Sequence, residues 1–171
     1  YEFKFTADNW AIQEEFGGLD ECTVTDGPYT NRSLIVTGDA TVGSVCWGSC
    51  YACGDGKTIT FELGFDGETN VPSPDGVWLA GGGNFENPGD RFQMFDEDGD
   101  GVYTITLERG VGFESFYTFA NGNCPDYSCK EDISGQDCAN PNNYNDRLLP
   151  AISDDTVIST CFAICTEDTN C

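Results

Sequence analysis

The chain has 171 residues, of which 39% are hydrophobic and 13% aromatic, enough for a packed core. Seven Lys and Arg against 30 Asp and Glu give a formal net charge of −23, a field that repels phosphate backbones and anionic lipid and so argues against nucleic-acid binding and membrane insertion. Ten cysteines and no histidine point to an oxidised extracellular or cell-surface chain, and they exclude Ser-His-Asp and Cys-His nucleophile systems and any His-containing zinc site.

Taken from the start, "YEFKF" reads as a strand and not as a signal peptide, so an export signal is expected to lie upstream or to have been removed. "NWAIQEEFGG" reads as one short helical turn. Asn31-Arg32-Ser33 is an N-x-S sequon expected in an exposed turn, which makes Asn31 a candidate glycosylation site. "SLIVT" is a second strand with an apolar face. Further on, "TITFELGF" alternates apolar Ile59, Phe61, Leu63 and Phe65, and "YTITL" does so through Tyr103, Ile105 and Leu107. Both are strands with one buried face. "VPSPDG", "GGGNFENPGD" and "DEDGDG" are turn chemistry, and Trp47 and Trp78 are expected in the core. The fold class is all-β: antiparallel β-sandwich modules in tandem, stapled by disulfides.

The tandem reading comes from the cysteine clusters. Tyr29 and Tyr144, Arg32 and Arg147, Cys46 and Cys161, and Cys50 and Cys165 pair at one offset of 115, and the match extends over about 50 residues. Residues between Gly54 and Gly112 occur once. The expected organisation is therefore residues 1–53 as the C-terminal half of a first module and 54–171 as a complete second one, with the second copy of the repeat in 113–171. An orphan half-sandwich exposes an apolar face and an unpaired edge, so neighbouring copies of the chain or adjacent modules are expected to pack head-to-tail.

Cys22, Cys46, Cys50 and Cys53 form one set, Cys138, Cys161, Cys165 and Cys171 another, and Cys124 with Cys129 a pair private to the second copy. Sets of four, four and two fit disulfides; a shared metal site would not tolerate the change from three to six residues before the last cysteine. The expected pairs are Cys22–Cys46, Cys50–Cys53, Cys138–Cys161, Cys165–Cys171 and Cys124–Cys129, although four cysteines admit three pairings. A redox role for Cys50-x-x-Cys53 is the minor alternative.

Asp96, Asp98 and Asp100 before Gly101 begin like a calcium loop, but the twelfth position is Leu107 and a strand follows. A tight Asp-Gly turn is the preferred reading; no cofactor is required, and calcium is the alternative. Three Asp on a turn have no apolar pocket to raise a pKa for glycosidase chemistry, and no enzymatic constellation is evident.

The run from "GVWLAGG" through "NFENPGDRFQM" and "DEDGDGVYTITL" to a "YEFKF"-like strand resembles the early-set, starch-binding-like β-sandwich, with an Ig-like fold, typified by the glycogen-binding module of the AMP-activated kinase β subunit and of starch-branching enzymes. Tandem copies ending in "TNRSLIVTGDATVGSVCWGSCYAC" are similar to those of large secreted repeat proteins of aquatic bacteria. The first resemblance implies sugar stacking on two tryptophans: Trp10, beside Asn9, falls at one position, Phe85 stands where the other is wanted, and Tyr127 replaces Trp10 in the second copy. The leading expectation is a non-catalytic structural or adhesive segment of a surface filament. The alternative is a carbohydrate-binding module for an α-glucan-like polysaccharide.

Overall fold

The computed structural model describes residues 1–16, 20–81 and 83–171, and among these every regular element is a strand. Five short strands come first: β1 (Glu2–Phe3), β2 (Thr6–Ala7), β3 (Ile12–Gln13), β4 (Thr23–Asp26) and β5 (Tyr29–Ser33). Seven follow: β6 (Gly56–Gly64), β7 (Val77–Ala80), β8 (Gln93–Met94), β9 (Tyr103–Gly110), β10 (Ser115–Asn121), β11 (Arg147–Leu149) and β12 (Thr156–Cys161).

From β6 onward the strands build two sheets, in the orders β12-β6-β9 and β11-β10-β7-β8. All their pairings are antiparallel except that of β12 with β6. The period-two alternation decides which faces meet. Ile59, Phe61 and Leu63 of β6 and Leu107 of β9 are at most 1% exposed, while Thr58, Thr104 and Thr106 on the opposite face are open to solvent. Opposite them lie Val77, Leu79, Met94, Tyr117, Phe119 and Leu149 of the other sheet. Phe61 is the hub, its ring 5.1 Å from Tyr117, 5.9 Å from Phe85 and 6.4 Å from Phe119, all in edge-on geometry. Each such fully buried ring contributes about 1.5–3 kcal/mol. This is a β-sandwich with one core. Phe95 and Thr104 exchange both backbone hydrogen bonds and so close one side of it, between β8 and β9.

The alternation through Ile59, Phe61, Leu63, Ile105 and Leu107 is borne out, and Trp78 is buried as expected. It lies on the outer face of β7, covered by Ala120 and the Cys124–Cys129 loop. Trp47 corrects the expectation: it sits in a turn and is 50% exposed.

Residues 1–53 make a sheet of order β1-β5-β4 and a β2-β3 hairpin without an apolar core; the described residues there that are buried are Glu14, Thr23 and Arg32. The helical turn expected over "NWAIQEEFGG" is instead the tip and return strand of the hairpin, because Asp8, Asn9 and Trp10 take positive φ and turn the chain back onto β2. Gly17 and Gly18 of that stretch, with Leu19 and Gly82, lie outside the described residues. The sequon is likewise in strand rather than turn: Asn31 pairs with Val24 in β5 and donates its side-chain amide to Glu2. Of "SLIVT", only Ser33 belongs to a strand, and Ile35 is 86% exposed.

The two cysteine-bearing segments share a network of contacts. Arg32 is forked onto Glu14, with Nε donating to Oε1 at 2.7 Å and Nη2 to Oε2 at 2.8 Å; Arg147 grips Glu131 in the same way at 2.9 and 2.7 Å. Each glutamate also accepts a backbone N–H from Phe5, between β1 and β2, or from Phe119 of β10, and another from Gly48 or Ala163. Each arginine donates further to two carbonyls, those of Cys46 and Ser49 or of Cys161 and Ile164. A phenyl ring caps each guanidinium, Phe5 at 5.0 Å and Phe119 at 5.5 Å. Strand register agrees as well, since Phe3 lies opposite Arg32 and Tyr117 opposite Arg147.

All ten cysteines are paired, and the sets of four, four and two hold. The pairing within the sets of four does not. The bonds are Cys22–Cys50 with Cys46–Cys53, and Cys138–Cys165 with Cys161–Cys171, beside the expected Cys124–Cys129. In each segment the cysteine whose carbonyl accepts from the arginine, Cys46 or Cys161, bonds to the tail, while the next one, Cys50 or Cys165, lies within bonding reach of Cys22 or Cys138, at Cα–Cα distances of 5.5 and 5.7 Å. Cys50 and Cys53 therefore form no redox dithiol with each other. Five cystines fit an oxidising, extracellular environment, and no helix is long and apolar enough to cross a membrane.

Mass spectrometry of unreduced chain is expected to show ten hydrogens fewer than the reduced form, and peptide mapping to recover Cys22–Cys50 and Cys138–Cys165; recovery of Cys50–Cys53 would contradict this fold. Arg147→Met strands a fully buried carboxylate and is expected to cost about 3–5 kcal/mol in urea unfolding, most of it regained by adding Glu131→Leu. Burial works against the charge on Glu14, but Arg32 and the N–H groups of Phe5 and Gly48 outweigh it and hold the carboxyl below its ordinary value of 4.5. The stability this pair contributes is therefore complete above that value and lost as pH falls through the depressed folded one. An acid titration followed by hydrogen exchange at β5 is expected to show the loss only below the ordinary value of 4.5, and no loss above it.

Candidate functional site

A cleft of about 790 Å³ opens at the end of the sandwich where β10 begins. Its floor is Ser115 and the half-buried Phe116 of β10. One wall comes from the β7–β8 connection, whose Asn84 donates to the Ser115 hydroxyl at 3.0 Å and whose Asn87 is held by Asp90. The other wall is the tight turn of residues 140–146, carrying Asn143, Tyr144 and Asp146.

Two aromatic side chains frame the opening, each on strained backbone. Tyr127 has φ 62° and Tyr144 φ 50°, with Glu86 at 56° and Asn145 at 58° beside them. A non-glycine residue in this region costs on the order of 1–2 kcal/mol and persists only where its surroundings enforce it. The Cys124–Cys129 bond closes the loop carrying Tyr127, and the Tyr127 hydroxyl donates to the Glu86 carbonyl at 2.9 Å. Burial, then the charges of Asp146 and Asp90, push that phenol above its ordinary value of 10, so it remains a donor throughout the neutral range. Lys130 fastens the opposite wall, donating to the Tyr144 carbonyl at 2.6 Å and to the Asp146 carboxylate. Tyr144 itself is 86% exposed, its ring presented to solvent.

The arrangement offers flat apolar faces next to amides that donate and accept hydrogen bonds and carboxylates that accept them. Its one lysine is spent on Asp146, and Glu114 adds a further negative charge. Such a surface suits a neutral polyhydroxylated ligand and disfavours an anion.

Of the residues singled out in the sequence, Tyr127 is in this cleft. Trp10 and Asn9 are not: they form the tip of the β2–β3 hairpin, where Trp10 is 66% exposed at φ 73°. They are nonetheless the counterpart of the Tyr127 loop, because Trp10 precedes Glu14 by the same four positions as Tyr127 precedes Glu131. Phe85 is fully buried in the core, which explains why it presents no face to a ligand. Sequence reasoning missed Asn84, Asn87, Lys130, Asn143 and Tyr144. The signal for the last two was the Asn-rich run "NPNNYN", and for Tyr144 also its alignment with Tyr29, which is 66% exposed.

Asp96, Asp98 and Asp100 do converge, with one oxygen from each lying within 4.8 Å of the others. Their oxygens also serve the turn itself: Asp96 accepts from the N–H groups of Gly99 and Gly101, Asp98 from Asp100, and Asp100 from Val102. Leu107, the twelfth position, is buried in the core and offers no ligand.

No protein-family model matches the chain, and no curated protein matches it. Among solved structures it is similar to the family 20 carbohydrate-binding module of the maltotetraose-forming amylase from Pseudomonas saccharophila STB07, at TM-score 0.38 and 13% identity over 61% of this chain and 99% of that one. The fold and its cystines define the class plainly: a disulfide-stapled, all-β sandwich protein.

Proposed function

We propose that residues 54–171 are a non-catalytic carbohydrate-binding module, and that a neutral, α-glucan-like polysaccharide lies across the cleft between Tyr127 and Tyr144. The observation that carries this reading is the pair of tyrosines held on strained backbone at the mouth of a cleft rimmed by Asn84, Asn87 and Asn143. Structure spent on fixing two aromatic faces beside uncharged hydrogen-bonding groups is what sugar recognition asks for: stacking on the ring face, and donors and acceptors for the hydroxyls. Asp146, bound to Lys130, is a structural carboxylate in this reading rather than a general acid.

A second reading is favoured by a different observation. Phe5, Ile12, Ile35, Val36 and Val42 are all exposed within the first 53 residues, as suits a structural or adhesive segment of a surface filament whose neighbours pack head-to-tail.

Affinity electrophoresis in gels containing glycogen, with pull-down on starch, laminarin and cellulose, tests the first reading. The wild-type chain is expected to be retained on an α-glucan, and Tyr127→Ala and Tyr144→Ala each to weaken retention about five- to tenfold, on the order of 1 kcal/mol. Failure of the wild type to bind any of the four polysaccharides would overturn it.

A further inference from the structure

Tyr117 and Phe119, the rings that β10 sends into the core, are 5% and 0% exposed because the β12-β6-β9 sheet faces them. Phe3 and Phe5 hold the matching positions beside Arg32 and Glu14, yet Phe5 is 41% exposed and Phe3 only half-buried. Their rings pack on each other at 5.7 Å, and no second sheet covers them among the described residues. β10 lies between β11 and β7, whereas β1 has β5 on one side and is the edge of its sheet on the other.

The same contrast recurs further along. β12, "TVISTC", ends in Cys161, whose carbonyl accepts from Arg147; "TVGSVC", Thr41 to Cys46, ends in the cysteine whose carbonyl accepts from Arg32. β12 pairs with β6 along its whole length, from Thr156 opposite Ile59 to Cys161 opposite Gly64. Thr41–Val45 belong to no strand, and none of their backbone groups is hydrogen-bonded to a described residue. Val42, in the middle, is 46% exposed.

We infer that residues 1–53 are an acceptor for a half-sandwich of the sequence type of residues 54–112, donated by a further polypeptide segment. One donated strand, alternating as β6 does, runs parallel to Thr41–Cys46 with the equivalents of Ile59 to Gly64 opposite them. A second, like β7, pairs with the free edge of β1. The equivalent of Phe61 then covers Phe3 and Phe5, as Phe61 covers Tyr117 and Phe119. The chain's own residues 54–112 do not serve, because β6 is already flanked by β12 and β9 and a second copy would have to open its sandwich to donate it. No residue of the tyrosine cleft takes part, so this inference stands or falls apart from the ligand reading.

The test is hydrogen exchange on two proteins: the 171-residue chain, and the same chain with a second copy of residues 54–112 fused ahead of Tyr1. In the first, the amides of residues 41–46 are expected to exchange at nearly unstructured rates; in the fusion they slow by on the order of 100-fold or more. Phe5→Ser in the fusion is expected to remove most of that slowing while leaving the amides of β4 and β5, which report on the fold of residues 1–53 itself, and those of residues 54–171 unchanged, which separates loss of docking from loss of folding. Fast exchange of residues 41–46 in the unmutated fusion overturns the inference. So does concentration-dependent protection of residues 41–46 in the unfused chain with matching sedimentation as a dimer or larger, because the occupant is then a second copy.

Discussion

A guanidinium leaves water only if every donor it carries finds an acceptor, and both cystine-bearing segments are organised around meeting that demand. Arg147 satisfies it with both oxygens of Glu131, the Thr160 hydroxyl and the carbonyls of Cys161 and Ile164. Those partners come from the excursion after β10, from β12 and from the loop beyond it. One side chain thus ties together three stretches of chain that carry few apolar residues of their own. The cystines share this framework, since one cysteine of each set, Cys46 or Cys161, also gives its carbonyl to the arginine. At Arg32 the same set of bonds holds residues 1–53 in shape where apolar burial is lacking, and there the ion pair and the cystines replace a core.

The parts of this fold that were legible in the sequence are those governed by local periodicity. Alternation through "TITFELGF" and "YTITL" placed the core faces of β6 and β9, and the cysteine grouping anticipated which sets of cysteines bond among themselves. The pairing inside each set was not legible, because it depends on which cysteines the folded chain brings together across 28 or 27 residues, a proximity that leaves no periodic trace. The two glutamates also escaped the internal comparison: the segment holding the Cys124–Cys129 loop is three residues longer than its counterpart, so the offset moves from 114 at Phe5 and Phe119 to 117 at the glutamates, while the arginines stand 115 apart. The cleft was invisible for a related reason. Its walls come from stretches near residues 84, 127 and 144, each an unremarkable polar loop when read alone, and only Tyr127 carried a clue.

Within the sandwich, rigidity and strain are divided by position. Phe61 and its neighbours fill the centre in unstrained strands, while four positive-φ residues gather at one end, round the cleft. The closely packed centre supplies the stability that the end consumes, and the short Cys124–Cys129 link confines the strained segment to a few residues.

The parallel pairing of β12 with β6 has a mechanical meaning. β6 enters the sandwich near the junction with residues 1–53, and β12 leaves it near the C-terminal tail, so tension along the polypeptide pulls these two adjacent strands in opposite directions along their shared axis. Six paired positions are then loaded together in shear instead of being peeled apart one at a time. The Cys161–Cys171 link takes the remaining slack out of the tail, bringing the pulling point close to the end of β12 itself. A sandwich loaded through these two strands resists extension along their shared axis better than across it.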